Sequence, residues 1–277
     1  MHVTDPAAPT SGGLLSEPPP AVLLERRGHV AQIQLNRPEN RNSMTPELLA
    51  AFADAVATVR SWADIRCVVV TGSGASFCAG ADFRSQIQAD VAHLSPAERS
   101  AAMYAPFLGL REVTVPVIAA LQGHAVGGGF GLALMADIRI AASDAKFGAN
   151  FARLGLHAGM AISYLLPRLV GAERACELLF TGRLFSGQEG AQMGLFLRAE
   201  PADRVLAVAH ELAGTIARNA PIAVRMMKQS IYQGLDWDPR TAAWREAFAQ
   251  AATVDTADAR EGIAALLAKR DPEFAGS

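Results

Sequence analysis

Three consecutive glycines, Gly127, Gly128 and Gly129, run straight into an apolar stretch, "GGGFGLALMAD" (127–137). Glycine costs about 1 kcal/mol per helical residue relative to alanine, so a cluster at the mouth of a helix needs a reason in what it leaves bare. A second glycine-bearing turn, "TGSGASF" (71–77), follows an apolar run. Both turns can present unpaired backbone N–H groups. The first four amides of a helix lack internal partners, that end attracts negative charge, and glycine admits close approach. Two such turns facing each other make an oxyanion hole, the device a thioester carbonyl needs when it gathers charge as an enolate or tetrahedral adduct.

Other glycine chemistries fail on spacing. In 71–77 the third glycine of a dinucleotide fingerprint falls on Phe77, and the chain has no phosphate-binding GxxxxGK[ST], no GxSxG nucleophile elbow and no HExxH zinc motif. A nucleotide-dependent enzyme is therefore disfavoured.

The elements that must position the turns are legible from pattern. "VAQIQLN" (30–36) alternates as a half-buried strand. "IRCVVVT" (65–71) and "PVIAALQ" (116–122) read as strands buried on both faces, and "IRIAA" (138–142) as another. Thr45 and Pro46 start a helix over 46–60, where Leu49, Phe52, Val56 and Val59 repeat at helical spacing. Further helices are expected around 95–111, over 128–136, and as two short pieces over 161–180 interrupted near Pro167 and Gly171. Ser186 and Glu189 have the spacing of a capping box. Beyond them the chain reads as helix over 203–218, 221–233, 239–252 and 257–270. Strand–helix alternation implies parallel pairing. The expected organisation is a flexible leader (1–20), a β/α core (21–200) and a helical C-terminal region (201–277). Ile231, Tyr232, Trp237, Trp244 and Phe248 give that last region more apolar surface than isolated helices can hide, so it must pack on the core or on another subunit.

Composition sets outer bounds. The chain has 277 residues, 51% of them hydrophobic, enough for a large α/β domain. A net charge of −2 argues against nucleic-acid or membrane-surface binding through bulk positive charge, so an anionic ligand must be held locally. Cys67, Cys78 and Cys176 are odd in number and widely spaced, which speaks against a disulfide scaffold or a zinc site and for a reducing cytoplasm. No window reaches the ~18 apolar residues of a membrane span, and no signal peptide is recognisable.

The motifs, taken together, resemble the crotonase superfamily of enoyl-CoA hydratases and isomerases. The resemblance runs in order through "LNRPENRNSM" (35–44), "CVVVTGSGASFCAGAD" (67–82), "PVIAALQGHAVGGGFGLALMADIRIAASDAKFG" (116–148), "LPRLVG" (166–171) and "LLAKRDPEF" (266–274). It implies an α/β fold, a crotonase-like ββα spiral core with a C-terminal helical region that builds a trimer or a dimer of trimers. The implied ligand is an acyl-CoA, with no cofactor beyond the coenzyme A carried in the substrate. The family's two oxyanion-hole amides fall on Ala81 and Gly128, flanked by Gly127. Backbone from Ala79 through Gly80 and Asp82 to Phe83 corresponds to the adenine and pantetheine channel. Arg41 and Lys269 are similar to the family's basic contacts to CoA phosphates.

The departures are as informative. Family hydratases carry one glutamate in the "GGGxE" helix and another in "FGxPE", and the pair adds water across the double bond as acid and base. Here those positions are Gly131 and Phe151. Where some relatives place an aspartate further along, this chain has Gly159. "ANFARLGLHAGM" (149–160) and "QGHAVGGGF" (122–130) are similar to polyketide-cassette decarboxylases that also lack the second glutamate, although the lysine of those enzymes falls on Phe83.

Few polar candidates remain. His157 is the catalytic candidate, with a loop histidine bonded to backbone as the alternative. Asp82 reads either as a channel residue or as a helix cap, and His124 as structural. Asn150 can bond a substrate but cannot act as a base, while Phe130, Met135, Phe151 and Met160 predict an apolar pocket. The expected function is enolate-type acyl-CoA chemistry such as decarboxylation or C–C cleavage, and the alternative is an acyl-CoA binder without catalysis.

Overall fold

The breaker-bounded apolar runs pair edge to edge. In the computed structural model, which describes residues 19–82 and 93–277, one sheet has the order β1 (Val22–Arg27), β2 (Val30–Leu35), β3 (Cys67–Gly72), β5 (Val117–Leu121), β7 (Ile138–Ala142) and β10 (Arg198–Glu200). A second sheet has the order β4 (Ser76–Cys78), β6 (His124–Val126), β8 (Lys146–Gly148) and β9 (Phe185–Ser186). From β2 to β10 the first sheet is parallel, as the alternation implied, whereas β1 joins antiparallel through a tight turn at Gly28, whose φ is +60°. Because β3, β5 and β7 lie in one sheet and β4, β6 and β8 in the other, the chain steps from sheet to sheet before each helix. That stepping is the expected ββα spiral.

Helices close each turn of the spiral. They are α1 (Pro46–Ser61), α2 (Pro96–Leu108), α3 (Gly128–Met135), α4 (Ile162–Val170), α5 (Ala172–Thr181), α6 (Gly187–Gln192), α7 (Val205–Ala217), α8 (Pro221–Gly234), α9 (Pro239–Val254) and α10 (Ala257–Ala268). Helix α1 starts as its sequence dictates: Pro46 occupies the first turn, the Thr45 hydroxyl accepts from the Leu48 amide at 3.2 Å, and Leu49, Phe52, Val56 and Val59 are buried. Its Phe52 meets Phe107 of α2 edge-on at 4.9 Å. Helix α3 is buried along its whole length.

Several local expectations change on packing. Strand β2 is buried on both faces rather than one, because α7 lies over the face bearing Gln32; the His210 Nε2–H donates to Gln32 Oε1 at 2.7 Å. Helix α4 runs through Pro167, and the break falls instead at Gly171, whose φ of +80° no helix can continue. Ser186 caps α6 through the Glu189 amide at 3.1 Å, but the Glu189 carboxylate turns to Arg183 at 2.7 Å, so the reciprocal half of the capping box is replaced by an ion pair.

The C-terminal helices do not form a single unit. Helix α7 packs on the first sheet, and α8 docks through Asp137, which receives Lys228 at 2.8 Å and the Tyr232 hydroxyl at 2.6 Å. Burial, reinforced by Asp137, pushes the Tyr232 hydroxyl up to about 12. Ile231, Trp244 and Phe248 stay exposed beside a groove of about 750 Å³ between α8 and α9. Residues 1–18 of the expected leader lie outside the described residues, while the Pro19 carbonyl accepts from Arg37 at 2.8 Å. Among the described residues no helix is long and apolar enough to cross a membrane.

Candidate active site

The turn read at 71–77 packs elsewhere, where a Cβ on Gly72 or Gly74 would lie 2.9 Å from Asn42 Nδ2 or Pro38 Cβ, and it is the bend after the next strand that meets the 127–129 turn. Strand β4 ends at Cys78, and the chain bends at Gly80 with φ +85°. A buried asparagine fixes this bend. Asn42, itself left-handed at φ 54°, accepts the Arg37 amide on Oδ1 at 2.7 Å and donates Nδ2 to the Ser73 and Ser76 carbonyls at 3.0 and 2.9 Å. The flanking backbone completes the clamp: Ala79 N–H donates to Arg41 C=O at 3.1 Å, and Met44 N–H to Gly80 C=O at 2.9 Å.

The second turn follows β6. Gly127, at φ +57°, donates its N–H to Gly148 C=O at 2.9 Å, and α3 begins at Gly128. The two turns touch backbone to backbone. A Cβ on Gly80 would lie 2.6 Å from the Val126 carbonyl oxygen and 3.1 Å from the Gly128 nitrogen, and one on Gly129 would overlap the Cys78 carbonyl. Among the described residues neither the Ala81 nor the Gly128 N–H has a hydrogen-bond acceptor. Side by side and unsatisfied, they can converge on one developing oxyanion. Cys78 contributes no nucleophile beside them, because burial pushes its thiol up to about 12.

The segment 149–162 wraps the start of α3. Gly127 faces Asn150 Oδ1 and Phe151 Cζ, which a Cβ there would meet at 3.7 and 3.8 Å. A Cβ on Gly131 would collide with Met160 Cβ and lie 2.9 Å from its Cγ. Met160 is fully buried at φ 57°, a conformation unusual outside glycine. A Cβ on Gly159 would overlap the Tyr104 hydroxyl and lie 2.6 Å from its Cζ. So two of the three positions without a carboxylate are filled by neighbouring side chains. Sequence reasoning found Met160 as a pocket residue but missed Tyr104, because nothing local in "AAMYAPF" indicates which loop its ring will reach.

The other candidates are more scattered. His157 is exposed, with Nδ1 2.7 Å from the Ala158 carbonyl oxygen. His124 is also exposed, and its Nδ1 accepts from the Lys146 amide at 2.8 Å. Arg41 is exposed next to the first turn, which its carbonyl helps hold. Lys269 caps α10 at φ 53°. The segment after Lys269 is held at the far end of β3, where Arg66 donates to Phe274 C=O at 2.6 Å. Asp82 is half-buried beside Ala81, and Phe83 lies outside the described residues. Among the described residues no three His, Cys, Asp or Glu side chains cluster to hold a metal.

A ββα spiral whose successive turns bring a pair of glycine-lined amide cradles together defines the crotonase class. Comparison with known proteins narrows this. The enoyl-CoA hydratase/isomerase family model matches residues 25–277. A putative enoyl-CoA hydratase/isomerase of Bacillus subtilis, YngF, is 36% identical over 253 residues, covering 90% of this chain and 95% of its own. The (E)-benzylidenesuccinyl-CoA hydratase of Thauera aromatica is 35% identical, covering 92% of this chain and 99% of its own. The crystal structure of an enoyl-CoA hydratase from Bacillus anthracis superposes with a TM-score of 0.86 at 34% identity, covering 93% of this chain and all of that one. The chain belongs to the enoyl-CoA hydratase/isomerase family of the crotonase superfamily.

Proposed function

We propose that this protein binds an acyl-CoA and stabilises its thioester as an enolate between the Ala81 and Gly128 amides, without the two-carboxylate hydratase mechanism. The observation that carries this reading is the Met160 side chain packed into the space that a residue at 131 would need. Hydration requires a positioned acid and base to place water across the double bond. Gly131, Phe151 and Gly159 supply neither. Loss of CO2 or another carbon leaving group asks mainly for a place to put the electron pair: the C–C bond breaks, the pair passes through Cα to the thioester oxygen, and two N–H dipoles receive it. One such donor is typically worth about 3–4 kcal/mol of barrier.

The backbone from Ala79 through Gly80 to Asp82 lines the CoA channel in this reading. Arg41 and Lys269 meet its phosphates, and Gly127 and Phe151 border the acyl group. His157, exposed with Nδ1 2.7 Å from the Ala158 carbonyl oxygen, is a catalytic candidate in this reading. The exposed face of α8 and α9, with Ile231, Trp244 and Phe248, is the surface for subunit contact in a homotrimer or a dimer of trimers.

Two assays test the reading. Crotonyl-CoA hydration, followed by loss of enoyl absorbance, is expected to be absent, and CO2 release from glutaconyl-CoA to be present. Hydration at rates ordinary for a hydratase would sink it. Tight acyl-CoA binding with no change in any of a panel of thioesters would point instead to a binding protein without catalysis.

A further inference from the structure

Proton transfer is unassigned in the site described above. An enolate formed between Ala81 and Gly128 must receive a proton at carbon before product leaves, and no carboxylate stands at 131, 151 or 159. One polar group does reach this region. The Tyr104 hydroxyl, carried by α2, packs directly on Gly159, and only a glycine there leaves room for it.

Its placement follows from three neighbouring contacts. Gly127 faces Phe151, Gly131 lies under Met160, and Gly159, next to Met160, lies under Tyr104. At about 1.5 Å of rise per residue, Gly131 is only about 4.5 Å along α3 from Gly128. The phenol therefore approaches the same stretch of the 149–162 segment that borders the amide cradle. Among the described residues no group hydrogen-bonds the Tyr104 hydroxyl. Every fully sealed side-chain nitrogen and oxygen among them has a partner, so the unpartnered Tyr104 oxygen is not fully sealed.

We propose that Tyr104 is the acid–base group of this site, delivering its phenolic proton to the α-carbon of the thioester enolate. The inference rests on the enolate reading given under Proposed function. In the step, the enolate electron pair forms a new Cα–H bond, the phenol O–H bond breaks, and the thioester C=O reforms. The phenolate then takes a proton from water. By microscopic reversibility, the same phenolate removes an α-proton from a saturated acyl-CoA.

That reverse step supplies the test. Butyryl-CoA is incubated in D2O with the full-length protein, and α-deuteration is followed by mass spectrometry between pH 7 and 10, with calorimetry of butyryl-CoA binding alongside. The wild type is expected to bind and to exchange. Tyr104→Phe keeps the ring on Gly159 and is expected to bind equally while exchange falls by about 100-fold or more. Gly159→Ala, which displaces the hydroxyl while retaining Tyr104, is expected to lose exchange as well. If the wild type binds but does not exchange, or Tyr104→Phe exchanges as fast as the wild type, the assignment of Tyr104 is overturned and the acyl-CoA reading stands. If the wild type does not bind butyryl-CoA, the reading beneath it fails first.

Discussion

Met160 fills the volume that any side chain at Gly131 would occupy, and it does so from a left-handed backbone at φ 57°. The collision is at Cβ, which no rotamer change can move. Gly131→Ala gains about 1 kcal/mol of helix propensity, but overpacking a closed core costs about 1–3 kcal/mol. The overlap wins, so Gly131→Ala is expected to lower the urea midpoint. Met160→Gly removes both the obstacle and the strained φ, and the double variant should be more stable than the sum of the single changes allows. Additive effects in that cycle would show that the two residues do not compete for space.

Gly80 and Gly128 are barred from carrying side chains for different reasons, and this separates their variants. A Cβ on Gly128 meets the Met44 thioether, a flexible group, whereas one on Gly80 meets the Val126 carbonyl at 2.6 Å from a φ of +85°. Gly80→Ala and Gly128→Ala should both weaken acyl-CoA binding in calorimetry. Adding Met44→Ala is expected to restore part of it to Gly128→Ala, with coupling of about 1 kcal/mol, and none to Gly80→Ala. Equal rescue of both would contradict the backbone contact between the turns.

Asn42 holds the first turn from a distance. Its amide satisfies three backbone groups at once, and removing it leaves buried polar groups unpaired. Asn42→Ala should cost about 3 kcal/mol in urea unfolding. Asn42→Asp keeps the acceptor for Arg37 N–H but sets a carboxylate against two carbonyls, so it should be no better. In both, acyl-CoA affinity should drop, because the Ala79–Ala81 bend loses its anchor. Unchanged affinity in a folded Asn42→Ala would show that the bend holds itself.

Much of this was legible in sequence where local pattern and final packing agree. The "CVVVTG" and "VIAAL" runs became central strands and Thr45–Pro46 opened a helix, while the 127–129 turn met not the 71–77 turn but the bend at Gly80, beside the Ala81 that the resemblance had singled out. Edge strands β1 and β10 escaped notice, since "RAE" is too short to show a period and "VLLERR" alternates poorly. Gln32 read as solvent-facing because the helix that covers it arrives at His210, far along the chain. Tyr104 was likewise invisible as a site residue, and Met160, legible as a pocket residue, gave no sign that it would fill the space at Gly131. Their roles depend on which glycine each side chain meets, and that is decided by tertiary packing between distant segments.

The Gln32–His210 pair makes a testable demand on pH. Burial holds His210 below the ordinary histidine value; Arg27 adds to that effect and Glu25 opposes it. The ring therefore donates from Nε2–H to Gln32 as a neutral imidazole. The unfolded chain, with an ordinary histidine near 6.5, binds the proton more readily than the folded chain does. Stability must then fall as pH drops through about 6.5 toward the lower folded value, and level off beneath it. His210→Gln keeps a donor for Gln32 but cannot titrate. The thermal midpoint of the wild type should drop further between pH 7.5 and 5.5 than that of His210→Gln, with the remaining histidines cancelling in the comparison. Parallel curves would mean that the proton is bound as easily in the fold as outside it, and that the cover α7 lays over β2 does not disfavour the charge.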